Sequence, residues 1–134
     1  MMTAAELYDF ADNRDIMVIY GKLNRPALAI NENGNCTVVI DNKQVVSQAD
    51  ELVKAAHEIG HCETGAFYDI NSLETRSRCE YRADKWAIQK LVPIDELFKA
   101  FANGIKEIWE LSEWFGVTED FMKKACRFYG LYDL

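Results

Sequence analysis

Ser47-Gln48-Ala49-Asp50-Glu51-Leu52-Val53-Lys54-Ala55-Ala56-His57-Glu58-Ile59-Gly60-His61 is the stretch on which the fold turns. Ser47, with Asp50 three residues on, reads as a capping box. Leu52, Val53, Ala55, Ala56 and Ile59 follow at helical spacing, so the segment predicts a mostly buried helix continuing through His61. His57 and His61 are the two histidines of the whole chain. Four residues make about one helical turn, so both imidazoles leave the same face and can share one ion. Glu58 is rotated about 100° from His57, which places it beside such an ion and not on it. A base that takes a proton from metal-bound water must stand there. The alternative, two solvated histidines on a surface helix, conflicts with the apolar residues around them, since burying unpaired imidazoles is costly. Gly60 lowers helix stability by about 1 kcal/mol relative to alanine. Its presence predicts that another part of the chain approaches closely there.

A catalytic zinc ion takes three protein ligands and keeps one open position. With no histidine left, the third ligand is a carboxylate or a thiolate. Glu80 is the best placed, with eighteen residues, a loop among them, between it and His61. It heads a stripe of Glu80, Ala83, Asp84, Ala87 and Leu91 that falls on one helical face, with two alanines that let helix backbones come close. Asp84, one turn further on, can accept a hydrogen bond from a ligand histidine's other ring nitrogen and so fix its tautomer. Cys62, Glu63, Glu74 and Cys79 are rival third ligands that rank below Glu80, because they point elsewhere on their helices or lie in or near the loop.

Upstream, Thr3 caps a predicted helix to Ala11, and the apolar period then changes. Ile16 to Leu23, Ala27 to Ile30 and Cys36 to Ile40 are short apolar or β-branched runs. Asn33-Gly34 is a strong hairpin signal between the second and third. These runs predict a small antiparallel three-stranded sheet, closed by a turn at Asp41 to Lys43. Downstream, a loop from Glu63 to about Thr75 leads to a second long helix, which ends before Pro93. Helices over Ile94 to Ala102, Ile105 to Phe115 and Thr118 to Phe128 complete the chain, with Gly116 as a helix stop. The expected class is α+β, the sheet packed on a mostly helical core. One domain over 1–134 is expected, divided into an N-terminal helix and sheet (1–47), the two helices bearing the candidate ligands (48–93) and C-terminal helices (94–134).

The 134 residues carry a net charge of −7, which disfavours a free nucleic-acid binder because phosphate contacts demand cations. The longest unbroken apolar run, Ile16 to Tyr20, is far short of the roughly 20 residues that span a bilayer. The acidic first fifteen residues carry no signal-peptide core, which argues against secretion. The four cysteines lie far apart without a Cys-x-x-Cys pair and read as reduced, mostly buried thiols of a cytoplasmic protein. The aromatic residues near the end, among them Phe98, Trp109 and Trp114, read as core. Leu111 to Phe121 reads as helix, tight turn, helix, with Lys123, Lys124 and Arg127 on the second helix. A helical pair packed on the core is favoured over a DNA reader, because Glu119 and Asp120 occupy the start of the would-be recognition helix.

His57-Glu58-Ile59-Gly60-His61, followed by Glu80-Tyr81-Arg82-Ala83-Asp84-Lys85-Trp86-Ala87-Ile88-Gln89-Lys90-Leu91-Val92-Pro93, resembles the ImmA/IrrE metallopeptidases. Those are cytoplasmic bacterial and phage proteins of the gluzincin type. The likeness extends well over Cys36 to Pro93 and loosely beyond. By the resemblance Glu80 takes the third-ligand place, Trp86 the place of the family's aromatic, and Leu91-Val92-Pro93 that of its helix end. Asp84 stands where the family usually has asparagine, and restores the Glu-x-x-x-Asp spacing of other gluzincins. The resemblance implies a zincin-like core, a zinc cofactor and a protein substrate, typically a helix-turn-helix transcriptional repressor of an operon or mobile element.

The expected chemistry is zinc-dependent peptide hydrolysis, with His57, His61 and Glu80 as ligands, Glu58 as general base and Asp84 behind a ligand histidine. A second oxyanion donor could be Tyr20, Tyr68, Tyr81, Arg25 or Arg82. The strand Cys36 to Ile40 is either the exposed edge on which an extended peptide pairs or an ordinary core strand. The alternative function is a metal-stabilised regulatory protein that binds a repressor or other partner without cutting it, for which Glu58 would be unnecessary.

Overall fold

A computed structural model describes residues 1–68 and 73–131; for residues 73 and 74 the description is confined to the backbone. Thr3 opens helix α1 (Ala4–Asn13) with a reciprocal capping box, its hydroxyl accepting from the Glu6 N–H while Glu6 reaches back to the Thr3 N–H. Strands β1 (Met17–Tyr20), β2 (Ala27–Glu32) and β3 (Asn35–Ile40) follow, then helices α2 (Gln48–Thr64), α3 (Leu73–Leu91), α4 (Ile94–Ala102), α5 (Ile108–Phe115) and α6 (Glu119–Phe128). The class is α+β, as the pattern of periods predicts.

The sheet departs from the all-antiparallel expectation. Its order is β1-β3-β2: β2 and β3 form the antiparallel hairpin, and β1 pairs with β3 in parallel. Asn33 and Gly34 both have positive φ, +54° and +83°, which is the primed turn that matches strand twist. The hairpin therefore formed as its Asn-Gly step dictates. The segment between β1 and β2 instead carries the chain across the hairpin, so β1 lands beside β3 and runs the same way. The strand Cys36 to Ile40 is thus central and not an edge; Val38 and Ile40 are fully buried against α2. The edge strands are β1 and β2. With Glu32 and Asn35 closing the turn and the Asp41 N–H donating to the Pro26 carbonyl, Leu28 and Ile30 bond β3. Ala27 and Ala29 turn their N–H and C=O groups outward.

The sheet lies on α2, which packs in turn on α3. Ser47 caps α2 by accepting from the Asp50 N–H, but Asp50 reaches one residue further back than a capping box would, to the Val46 N–H, and also pairs with Lys54. Gly60 explains itself against α3: a Cβ there would lie 2.8 Å from the Ala83 carbonyl oxygen. Ala83 and Ala87 are fully buried, as their stripe predicts. The α5–α6 pair packs on the core through Leu111, Phe115, Phe121 and Met122. Phe98, Trp109 and Trp114 correct the expectation of a fully buried aromatic set: about half of each surface is exposed. No described helix is long and apolar enough to cross a membrane. Residues 69–72 of the predicted loop lie outside the described residues, as does the Glu74 side chain.

Cysteine chemistry is the second correction. Cys36 on β3 and Cys62 on α2 are joined in a disulfide, while Cys79 and Cys126 are buried free thiols. The two sulfurs are 26 positions apart in sequence, so spacing gave no sign of them; the fold of the hairpin over α2 brings them together. Closing a loop of that length constrains the unfolded chain by about 3.5 kcal/mol. Cys36→Ser with Cys62→Ser is expected to lower the unfolding free energy by about 2–4 kcal/mol, measured by urea titration; an unchanged midpoint would mean that the bridge holds nothing.

Candidate metal centre

Helix α2 supplies His57, Glu58 and His61, and α3 supplies Glu80 and Asp84. The close backbone approach at Gly60 and Ala83 brings the two helices together beside these side chains. The imidazole edges are then sorted by hydrogen bonds. His57 Nδ1 lies 2.8 Å from Asp84 Oδ1, and His61 Nδ1 lies 2.6 Å from the Ala66 carbonyl oxygen. A carbonyl only accepts, so His61 Nδ1 carries its proton, and the carboxylate assigns the same tautomer to His57. Both Nε2 atoms are thereby left to face inward. They stand 3.2 Å from each other, and His61 Nε2 is 3.4 Å from Glu80 Oε1. His57 Nε2 is 2.7 Å from Glu80 Oε2.

One donor atom from each of His57, His61 and Glu80 lies within 4.8 Å of the others. For neutral imidazoles this points lone pairs at lone pairs and at a carboxylate, an arrangement that needs a proton or a cation at its centre. Ligands 2.0–2.1 Å from a tetrahedral zinc ion lie about 3.3 Å apart, close to the 3.2 and 3.4 Å separations, while the 2.7 Å between His57 Nε2 and Glu80 Oε2 is a hydrogen bond that an ion would replace. The residues present fit a zinc ion.

The charges around the cluster are uneven. Glu58 is buried, and burial pushes its carboxyl above the usual carboxylate range, against the pull of His57, His61 and Arg25. Burial would also raise Glu80 and Asp84, but their hydrogen bonds outweigh it: Tyr68 and the histidines hold Glu80 below its ordinary value, and His57 with Lys124 does the same for Asp84. Burial works against protonation of His57, yet Asp84 and the neighbouring glutamates leave its imidazole above the ordinary value of 6.5. The Tyr68 phenol is raised by burial and by Glu80, to whose Oε1 it donates at 2.9 Å.

Comparison with protein-family models, curated proteins and solved structures gave no match. The centre is therefore read from its own geometry. His57, Glu58, His61, Glu80 and Asp84 converge as the sequence predicts. Of the rival ligands, Cys62 is in the disulfide, Glu63 pairs with Arg14, and the Cys79 thiol donates to the Phe67 carbonyl. Of the five oxyanion candidates, Tyr68 and Arg25 line the site. Tyr20 instead donates to Glu51, Tyr81 is exposed, and Arg82 donates to the Thr64 carbonyl.

Two participants escaped the sequence reading. Ala66 acts through its backbone, which no side-chain pattern signals. Lys124 sits 3.3 Å from Asp84 Oδ2, forty residues away in sequence. Asp84→Ala is expected to weaken zinc binding 10- to 100-fold, as loss of the partner behind a ligand histidine does. Competition with a chromophoric chelator measures it, and unchanged affinity would remove Asp84 from the centre.

Proposed function

We propose that the protein is a zinc-dependent endopeptidase. The observation that carries this reading is Glu58. It is buried but lines two hollows, of about 270 and 300 Å³, that flank the ligand cluster. A site that only held the fold together would close around its ion and would not need a buried acid opening onto clefts. The outward N–H and C=O groups of Ala27 and Ala29 lie along the same clefts, where an extended peptide can add to the β2 edge.

A bound zinc ion would supply Lewis-acid polarisation of a water molecule and of the scissile carbonyl. Glu58 accepts the proton that the attacking water gives up and hands it to the leaving amine. Its raised pKa suits both halves of that transfer, since a base that is too weak to hold the proton cannot deliver it. Tyr68 is the phenol closest to the cluster and donates to the carbonyl oxygen as it gains charge, exchanging its present bond to Glu80. The Ala66 carbonyl and Asp84 keep both histidines in the tautomer that leaves Nε2 free.

The resemblance to ImmA/IrrE metallopeptidases supports a protein substrate, with a helix-turn-helix repressor as the first candidate, and a cytoplasmic setting. In a reducing compartment the Cys36–Cys62 bridge would open to two thiols. The test is cleavage of a candidate repressor by the purified chain, followed by mass spectrometry. Cleavage is expected to disappear on metal chelation and to return when zinc is added back. Hydrolysis that persists through chelation sinks the reading.

A further inference from the structure

We propose that the hollow beside His57 is a specificity pocket for an acidic substrate side chain next to the scissile bond. The inference rests on the peptidase reading and adds the substrate class. The two hollows that share Arg25, Glu58 and Glu80 differ in chemistry. The one beside His61 is walled by Leu28, Ala29, Ala66, Phe67 and Tyr68, and no lysine lines it. The one beside His57 gathers Arg25, Lys54 and Lys124 around Pro26, Val53 and Phe121. Three cations on one cleft stand out in a chain of net charge −7.

The two lysines are held by acids, and Arg25 is placed by its backbone. Lys54 is fixed by Asp50 at 2.9 Å and Lys124 by Asp84 at 3.3 Å. Arg25 rides on a pinned loop. The Gln44 side-chain amide donates to the Leu23 and Arg25 carbonyls, and buried Asp41 accepts from the Leu23 N–H and from that same amide. The Arg25 guanidinium itself forms no ion pair with any described residue, so its charge is available to a ligand.

Glu58, Glu80 and Asp84 share that wall, and Asp50 and Asp84 already neutralise Lys54 and Lys124, so the charge open to a ligand is that of Arg25. Asp84 is shared between His57 and Lys124, and Glu80 belongs to the ligand cluster. The walls are apolar enough to take the methylenes of a glutamate, and a guanidinium can hold its carboxylate with two parallel bonds.

Phosphinic pseudopeptides test this without relying on turnover. One set carries Glu, Gln or Lys on the N-terminal side of the phosphinate and a second set carries them on the C-terminal side, each titrated calorimetrically into the zinc-loaded protein. On one side, Glu is expected to bind about 10-fold tighter than Gln, Lys weaker than either, and the preference to shrink with salt. In Arg25→Gln with Lys124→Gln the Glu preference is expected to vanish while zinc stoichiometry stays the same. Lys124→Gln alone, which leaves the Arg25 loop untouched, should reduce the preference partway. Equal binding of Glu, Gln and Lys on both sides overturns this inference and leaves the peptidase reading standing. A Glu preference that survives the double substitution overturns it as well. If no phosphinate binds the zinc-loaded protein, both fall together.

Discussion

Glu58→Gln is expected to slow peptide hydrolysis by two to four orders of magnitude, the range that a positioned acid–base group contributes, while zinc content stays at one ion per chain. The amide fills the same space and keeps a carbonyl oxygen, so the helix and the ligand cluster have no reason to rearrange. It cannot take up a proton at neutral pH, and the transfer from water to leaving amine loses its carrier. Replacing the buried carboxyl also removes a charge whose burial opposes folding, so stability should hold or rise slightly. The paired measurement is metal analysis with single-turnover cleavage. Activity within a factor of three of the parent would end the general-base assignment; loss of zinc together with activity would move Glu58 into the ligand set.

Gly60→Ala is expected to damage fold and centre together. Alanine is favoured over glycine in a helix interior by about 1 kcal/mol, and at an exposed position that gain would decide the outcome. Here the new Cβ would stand 2.8 Å from the Ala83 carbonyl oxygen and 3.3 Å from the Ala83 Cα, and backbone cannot swing aside as the end of a side chain can. Helices α2 and α3 must separate, which costs about 1–3 kcal/mol or more and outweighs the propensity gain. Ala83 sits between Glu80 and Asp84, so the same displacement carries a ligand and the partner of His57 away from α2. The expectation is a lower melting temperature and weaker zinc binding from one substitution that adds or removes no polar group. A variant as stable as the parent, with parental zinc affinity, would show that the helices tolerate a wider spacing than their contact implies.

Most of the centre was legible in the sequence because it is written in helical periods. The His57–His61 spacing, the offset of Glu58, the Glu80-to-Leu91 stripe and the glycine at 60 are all local patterns whose geometry a helix fixes in advance. Asp84 was legible for the same reason. What escaped depends on how distant segments meet. The parallel seat of β1 follows from the route of residues 21–26 around the hairpin, which Asp41 and Gln44 hold by hydrogen bonds that no periodicity announces. That route put β3 at the centre and left β1 and β2 as the edges. The Cys36–Cys62 bridge and the Lys124–Asp84 contact likewise join positions 26 and 40 residues apart. The exposure of Phe98, Trp109 and Trp114 shows the limit of composition: an aromatic at helical spacing can belong to a short helix with only one face to bury.

The bridge between β3 and α2 closes a covalent ring that includes the 41–47 segment, where Val46 is 88% exposed. A nick anywhere in that arc would leave both fragments tethered, travelling as one species on a gel until a thiol is added. Clipping there would give a two-chain molecule with the whole sheet on one fragment, and with His57 and His61 together with Glu80 on the other.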